Sequence, residues 1–273
     1  MPDTPARPTA RDYDGRGLLV TGATGIAAAT ARLAAARGAR VFVVSRDAGE
    51  CGALCAEVAA AGGDATWHAA DVADAAAVDA AVRRGAAWLG RLDACFHVAG
   101  ISGRRLGDGP VHEATDEGWD ATFAVNARGT FLVSRAAVRH MLAQEPAPNG
   151  LRGALLLMSS VLATSPEPRH FATHAYAASK AAVLGLARAI AAYYAPHGVR
   201  VNAVAPGLVR TPMSRRAHDD PAVAALLATR QPLGGALLDP DAVARAALFL
   251  LGDDAAAVTG DALFVDAGWS LGG

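Results

Sequence analysis

Seven short apolar runs, at 18–20, 40–44, 65–68, 94–98, 154–158, 200–204 and 262–265, carry no polar alternation. A strand that shows one face to water alternates apolar and polar residues, so runs without alternation are buried on both faces. Between them lie longer Ala-, Leu- and Arg-rich stretches of helical character, near 26–37, 47–61, 74–88, 115–143, 175–195 and 240–251. Strands separated by helices indicate right-handed crossovers and a doubly wound parallel sheet of the α/β class. No linker, repeat or break in composition divides the chain, so a single domain is expected over 16–273, after a polar, Pro-containing flexible leader at 1–15. Surface loops are expected at 144–153 and 163–172. A segment near 208–235, beyond the carboxyl end of a strand, is placed to act as a substrate lid.

Apolar residues make up 52% of the chain, enough for one large core, and the formal net charge is −1. That balance gives no electrostatic footprint for nucleic acid or an anionic membrane. No apolar run is read as reaching the roughly 18 residues of a membrane span, and residues 1–17 lack the apolar core of a signal peptide. Cys51, Cys55 and Cys95 show neither framework nor metal-site spacing, so the expectation is a cytoplasmic chain without a metal.

The first strand runs into Thr21-Gly22-Ala23-Thr24-Gly25-Ile26 and then a helix. A glycine turn there lets backbone approach a pyrophosphate, and the helix N-terminus offers free N–H groups. Gly22, Thr24, Gly25 and Ile26 are therefore candidate cofactor residues. At the tip of the second strand, an acid would bind ribose hydroxyls and repel a 2′-phosphate. Ser45 stands there instead, followed by Arg46, which favours NADP over the alternative, NAD. After the third strand, Asp71 and Val72 are placed to meet the adenine. For Asp71, a capping role at the helix beginning near Asp74 is the other reading.

The sequence has one lysine, Lys180, among 25 basic residues. Arginine cannot stand in for lysine where a compact ammonium is needed. Lys180 lies four residues after Tyr176, which puts both on one helix face. An ammonium beside a phenol favours tyrosinate, so this pair is a candidate for proton exchange with a carbinol or carbonyl. Ser160, at the end of a strand in Met158-Ser159-Ser160, can polarise the same oxygen. Asn126 interrupts a helical run, where an amide is mildly unfavourable, and is a candidate to hold a water or a backbone carbonyl.

Taken in order, these residues resemble the short-chain dehydrogenase/reductase family, in its 3-oxoacyl reductase-like branch. Further matches are Ala99-Gly100, Pro206-Gly207, Val209-Arg210-Thr211-Pro212 and Val265-Asp266-Ala267-Gly268. The resemblance spans roughly 16–270 and implies a Rossmann fold binding NADP or NAD. It implies Tyr176 as acid/base, Lys180 as its tuner and ribose ligand, Ser160 as carbonyl polariser and Asn126 as holder of a relay water. It places Ala99, Gly100, Pro206, Gly207, Val209 and Thr211 at the cofactor, and implies a homotetramer or homodimer built through the helices at about 129–143 and 175–195.

Three departures stand out. Only two residues separate Gly22 from Gly25, with Ala27 or Ala28 in place of the last glycine. His97 replaces the usual Asn, and is readable as a base or as a packing residue beside the ribose. Tyr176 follows Ser160 by 16 residues, about three more than usual, which lengthens the loop around Pro166–His170. The expected reaction is NAD(P)(H)-dependent interconversion of a secondary alcohol and a ketone. The alternatives are a non-redox enzyme or a binding protein with weakened cofactor affinity. Arg104, Arg105, Arg169, His170, Arg215 and Arg216 fall in segments expected to line the pocket, which favours an anionic or polyhydroxylated substrate.

Overall fold

In the computed structural model, which describes residues 12–272, each apolar run forms a strand. These are β1 (Gly17–Thr21), β2 (Arg40–Ser45), β3 (Asp64–Ala69), β4 (Ala94–His97), β5 (Gly153–Met158), β6 (Val199–Pro206) and β7 (Ala262–Val265). All neighbours pair in parallel, in the order β3-β2-β1-β4-β5-β6-β7. The chain order reverses between β1 and β4, and a crevice outside the carboxyl ends of the strands is the expected ligand site at such a point.

The helices are α1 (Gly25–Ala36), α2 (Ala48–Ala60), α3 (Ala75–Leu89), α4 (Asp116–Phe123), α5 (Gly129–Ala143), α6 (His174–Tyr194), α7 (Pro221–Arg230) and α8 (Pro240–Leu251). Leu18 and Val20 of β1 face a core completed by α1, α2 and α8, while Leu19 faces one completed by α3, α5 and α6. Burial on both faces accounts for the missing alternation in β1, β2, β4, β5 and β6. Strands β3 and β7, expected to be buried likewise, are the sheet's edges and are only partly covered, with Trp67 of β3 exposed. A third, smaller core of Val161, Ala217, Val223, Leu227 and Trp269 lies within and beneath 208–235.

Three sequence expectations change. The helix expected over 115–143 is two helices joined by a π-helical turn at Ala124–Arg128, centred on Asn126. Residues 12–15, assigned to a flexible leader, are fastened to the core. Tyr13 is 2% exposed, its hydroxyl donates to the Leu248 carbonyl, and Arg37 pairs with Asp12. The phenol ring supplies apolar area that closes the end of the α1/α8 layer, and Arg16 and Arg37 cover its faces. Residues 1–11 lie outside the described residues. Finally, α6 with its following turn (His174–His197) is long and apolar enough by composition to cross a membrane. Its Ala175, Ser179, Val183, Ala187 and Ala191 are buried, and Val183, Ala187 and Ala191 pack in the α3/α5/α6 core.

Candidate active site

A cavity of about 480 Å³ opens at the sheet's reversal point. One wall is the turn between β1 and α1. Gly22 has φ 99° and Gly25 φ 55°, both in the left-handed region. A Cβ on Gly25 would lie 2.9 Å from Thr211 Cγ2, so the shortened turn is packed against the segment after β6. Thr24 is the N-cap of α1 but its side chain makes no capping bond. The first amides of a helix have no intrahelical acceptor, and Thr24, Gly25 and Ile26 line the cavity with them. Across the cavity, a Cβ on Gly100 would lie 3.0 Å from Asn126 Oδ1 and 3.3 Å from Lys180 Nζ. Glycine backbone, helix N-terminus and a lysine therefore converge on one elongated space, which fits a dinucleotide.

Ser45, Arg46, Val72, Ala99, Pro206, Gly207, Val209 and Thr211 also border this cavity, as the sequence reading expects. Asp71 does not. Its Oδ1 accepts from Ala73 N at 2.9 Å, and its Oδ2 lies 4.0 Å from Arg46. Neither is it the cap of α3, since Asp74 accepts from Ala76 and Ala77. A local turn engages Oδ1 of the carboxylate expected at the adenine and leaves Oδ2 beside Arg46.

At the other end of the cavity stand Tyr176, Lys180 and Ser160. Lys180 is 3% exposed, with Nζ donating to the Met158 carbonyl at 2.9 Å and 5.7 Å from the Tyr176 ring centre. Burial pulls its pKa down to about 8. Burial pushes the Tyr176 phenol up, opposed by a hydrogen bond from Ser160. The sequence reading has Lys180 lowering the phenol's pKa. Here desolvation dominates, because the ammonium is engaged by Met158 and faces the ring. Ser160 Oγ accepts from Leu162 N at 3.2 Å, which leaves its own proton to be donated toward the phenol.

Asn126 is fully buried and does not border the cavity. Its Oδ1 accepts from Ile101 N at 2.8 Å, and its Nδ2 donates to Ile101 O at 2.9 Å and Ser179 Oγ at 3.1 Å. Of the two roles open to it from sequence, its side chain takes the backbone one. It ties the loop following β4 to α6, and the π-helical turn aims it there.

A family model described as enoyl-(acyl carrier protein) reductase matches residues 20–270. The chain belongs to the short-chain dehydrogenase/reductase family. This short-chain dehydrogenase/reductase is 39% identical to D-threitol dehydrogenase of Mycolicibacterium smegmatis over 265 residues, which are 94% of each chain. It superposes on a short-chain type dehydrogenase/reductase from Mycobacterium ulcerans with a TM-score of 0.87 at 31% identity, covering 96% of this chain and 92% of that one. A 3-oxoacyl-[acyl-carrier protein] reductase from Brucella melitensis, solved with bound NAD, matches with a TM-score of 0.84 at 30% identity, covering 99% and 98%. The enzyme is thus an NAD(P)-dependent dehydrogenase/reductase.

Two buried groups of this short-chain dehydrogenase/reductase complete the site. His97, the last residue of β4, makes an Nδ1 contact with Thr21 Oγ1 at 2.9 Å. That oxygen already accepts from Val98 N and Ala99 N, so its proton goes to the imidazole, and Nε2 carries the ring hydrogen. Burial and the Lys180 charge push the pKa of His97 down to about 3. It does not border the cavity, which makes it a packing residue.

Asp108 escaped the sequence reading. Its Oδ1 accepts from Ala175 N and its Oδ2 from Tyr176 N, each at 2.9 Å. Thr173, the N-cap of α6, makes no side-chain capping bond, so Asp108 supplies the acceptors that the first turn needs. The only local signal is an acid between two glycines, Gly107 and Gly109.

Proposed function

We propose that this enzyme interconverts a secondary alcohol and the corresponding ketone with NADP(H), Tyr176 exchanging the proton. The observation that carries the reading is the convergence of Tyr176, Ser160 and Lys180 on the cavity bounded by the Gly22–Ile26 turn. The turn and the α1 N-terminus would hold the pyrophosphate. Ser45 and Arg46 would meet the adenosine ribose, with Arg46 reading a 2′-phosphate. Lys180 and the segments at Ala99-Gly100 and Pro206–Thr211 would hold the nicotinamide half. When bound, the nicotinamide supplies or accepts the hydride.

The chain's own part is orientation and proton transfer. Ser160 Oγ, anchored by Leu162 N, donates to the carbonyl oxygen. Tyr176 Oη, protonated at neutral pH because burial raises its pKa, gives that oxygen its proton during reduction. In oxidation the phenol first releases its proton to solvent, and the resulting tyrosinate takes the carbinol's. Lys180, with a pKa of about 8, holds or releases a proton beside the ring. Asn126 and Asp108 fix the backbone on either side. In this reading 208–235 serves as the lid, Asp71 acts at the cofactor only through Arg46, and the enzyme works as a cytoplasmic homotetramer or homodimer.

The test is nucleotide absorbance over a panel of ketones, polyols and cyclic diols, with NADPH or NADH and the oxidised forms. Carbonyl-dependent NADPH oxidation is the expected result. A nucleotide that binds without any carbonyl- or carbinol-dependent change would move the protein into a non-redox class.

A further inference from the structure

Six basic residues fall in the loops expected to line the pocket, but only Arg104 and Arg216 border the cavity. They arrive from separate parts of the chain. Arg104 stands in a short 3₁₀ turn flanked by the left-handed glycines Gly103 and Gly107, and Arg216 in the 3₁₀ turn Pro212–Ala217. Both nevertheless donate to one acceptor, the backbone carbonyl of His170, at 3.1 Å and 2.9 Å. Arg216 also lies 5.6 Å over the Phe171 ring, which sets the plane of its guanidinium without neutralising it.

Two like charges gathered on one neutral oxygen repel each other. Burial and the neighbouring Arg216 lower the Arg104 pKa. Among the described residues neither guanidinium has a carboxylate within ion-pairing distance. The acid that attracts Arg104 is Asp108, whose oxygens are committed to Ala175 and Tyr176. The acid beside His170 is Glu167, buried and turned onto the N–H groups of Arg169, His170 and Phe171. Each guanidinium has five donors in a planar fork, so most remain available around a cavity that also contains Tyr176. Paired forks with no internal counter-ion match a planar oxyanion.

We infer that Arg104 and Arg216 form the anion-binding end of the substrate pocket, and that the preferred substrate is a hydroxy or keto compound carrying a carboxylate or similar oxyanion away from the reacting carbon. The inference rests on the oxidoreductase reading for the reacting end, but the anion site itself can be read without turnover.

The experiment compares matched pairs with the nucleotide-loaded enzyme: 4-oxopentanoate against 4-oxopentanamide, and 4-oxocyclohexanecarboxylate against its carboxamide. The carboxylates are expected to have the higher kcat/KM by about tenfold or more, the scale of charge-assisted hydrogen bonds, and the advantage should shrink with added salt. Arg104→Gln and Arg216→Gln should each raise KM for the carboxylates and bring the ratio toward one, with Arg216→Lys in between. In parallel, calorimetric titration with 4-oxopentanoate should show saturable binding to the wild type that is lost in the double Gln variant. Equal rates for acid and amide, or Gln variants whose loss falls on nucleotide affinity, would overturn the anion site. If no carbonyl compound is turned over but 4-oxopentanoate binding is saturable and Arg-dependent, the anion site stands and the redox reading fails. Absence of that binding overturns the site whatever the kinetics show.

Discussion

The Asp108 carboxylate accepts the backbone N–H of Tyr176 at 2.9 Å, and that of Ala175 at the same distance, across 68 and 67 residues of chain. It thereby caps the helix that carries the acid/base pair from the long loop between β4 and α4. Asp108→Ala should cost about 1–3 kcal/mol of stability, the range for buried bonds to a charged group. It should also lower kcat by roughly tenfold or more, since small misplacements of reacting groups are expensive. Nucleotide affinity should hold, and Asp108→Asn, which keeps one acceptor, should fall between. A folded Asp108→Ala enzyme with wild-type kcat would show the bond to be structural only.

Much of this arrangement was legible in the sequence. The unalternating runs marked all seven strands, five of them buried on both faces, and the four-residue spacing of Tyr176 and Lys180 placed both at one cavity. What escaped was tertiary. Asp108 acts on a helix distant in sequence, so no window around it carries the signal. The π-helical turn arises because Asn126 is held by Ile101 and Ser179, which come from other elements. Asp71 Oδ1 is held in a local turn by Ala73 N, a contact that the sequence does not announce. The rise in the Tyr176 pKa depends on burial, which spacing alone does not reveal.

Lys180→Arg keeps a positive charge but replaces a compact ammonium, seated against the Met158 carbonyl and 3% exposed, with a wider fork. Turnover should fall by on the order of 10² without rescue. Steady-state rates within twofold of wild type would refute the argument from the single lysine.

Arg46 is exposed, with its guanidinium 4.0 Å from the Asp71 carboxylate. Arg46→Ala should weaken NADP more than NAD by roughly 1–3 kcal/mol. Fluorescence titration with both nucleotides decides; equal losses would show that Arg46 does not read the phosphate.

His97 has a folded pKa of about 3 against 6.5 for a free imidazole. Below about pH 6.5 the unfolded chain gains a proton that the folded one refuses, so stability is full above that pH and is lost progressively toward pH 3. His97→Asn should therefore lose less Tm than the wild type between about pH 7.5 and pH 5. Parallel Tm profiles for the two proteins would show that His97 does not set the acid sensitivity.

The central claim is that the Tyr176 hydroxyl moves the proton, and Tyr176→Phe tests it by deleting one oxygen while keeping the ring that packs beside Lys180. With NADPH and the best ketone from the panel, kcat should drop by on the order of 10² or more, while nucleotide affinity and Tm stay near those of the wild type. A phenylalanine variant that retains most of its turnover would contradict the claim.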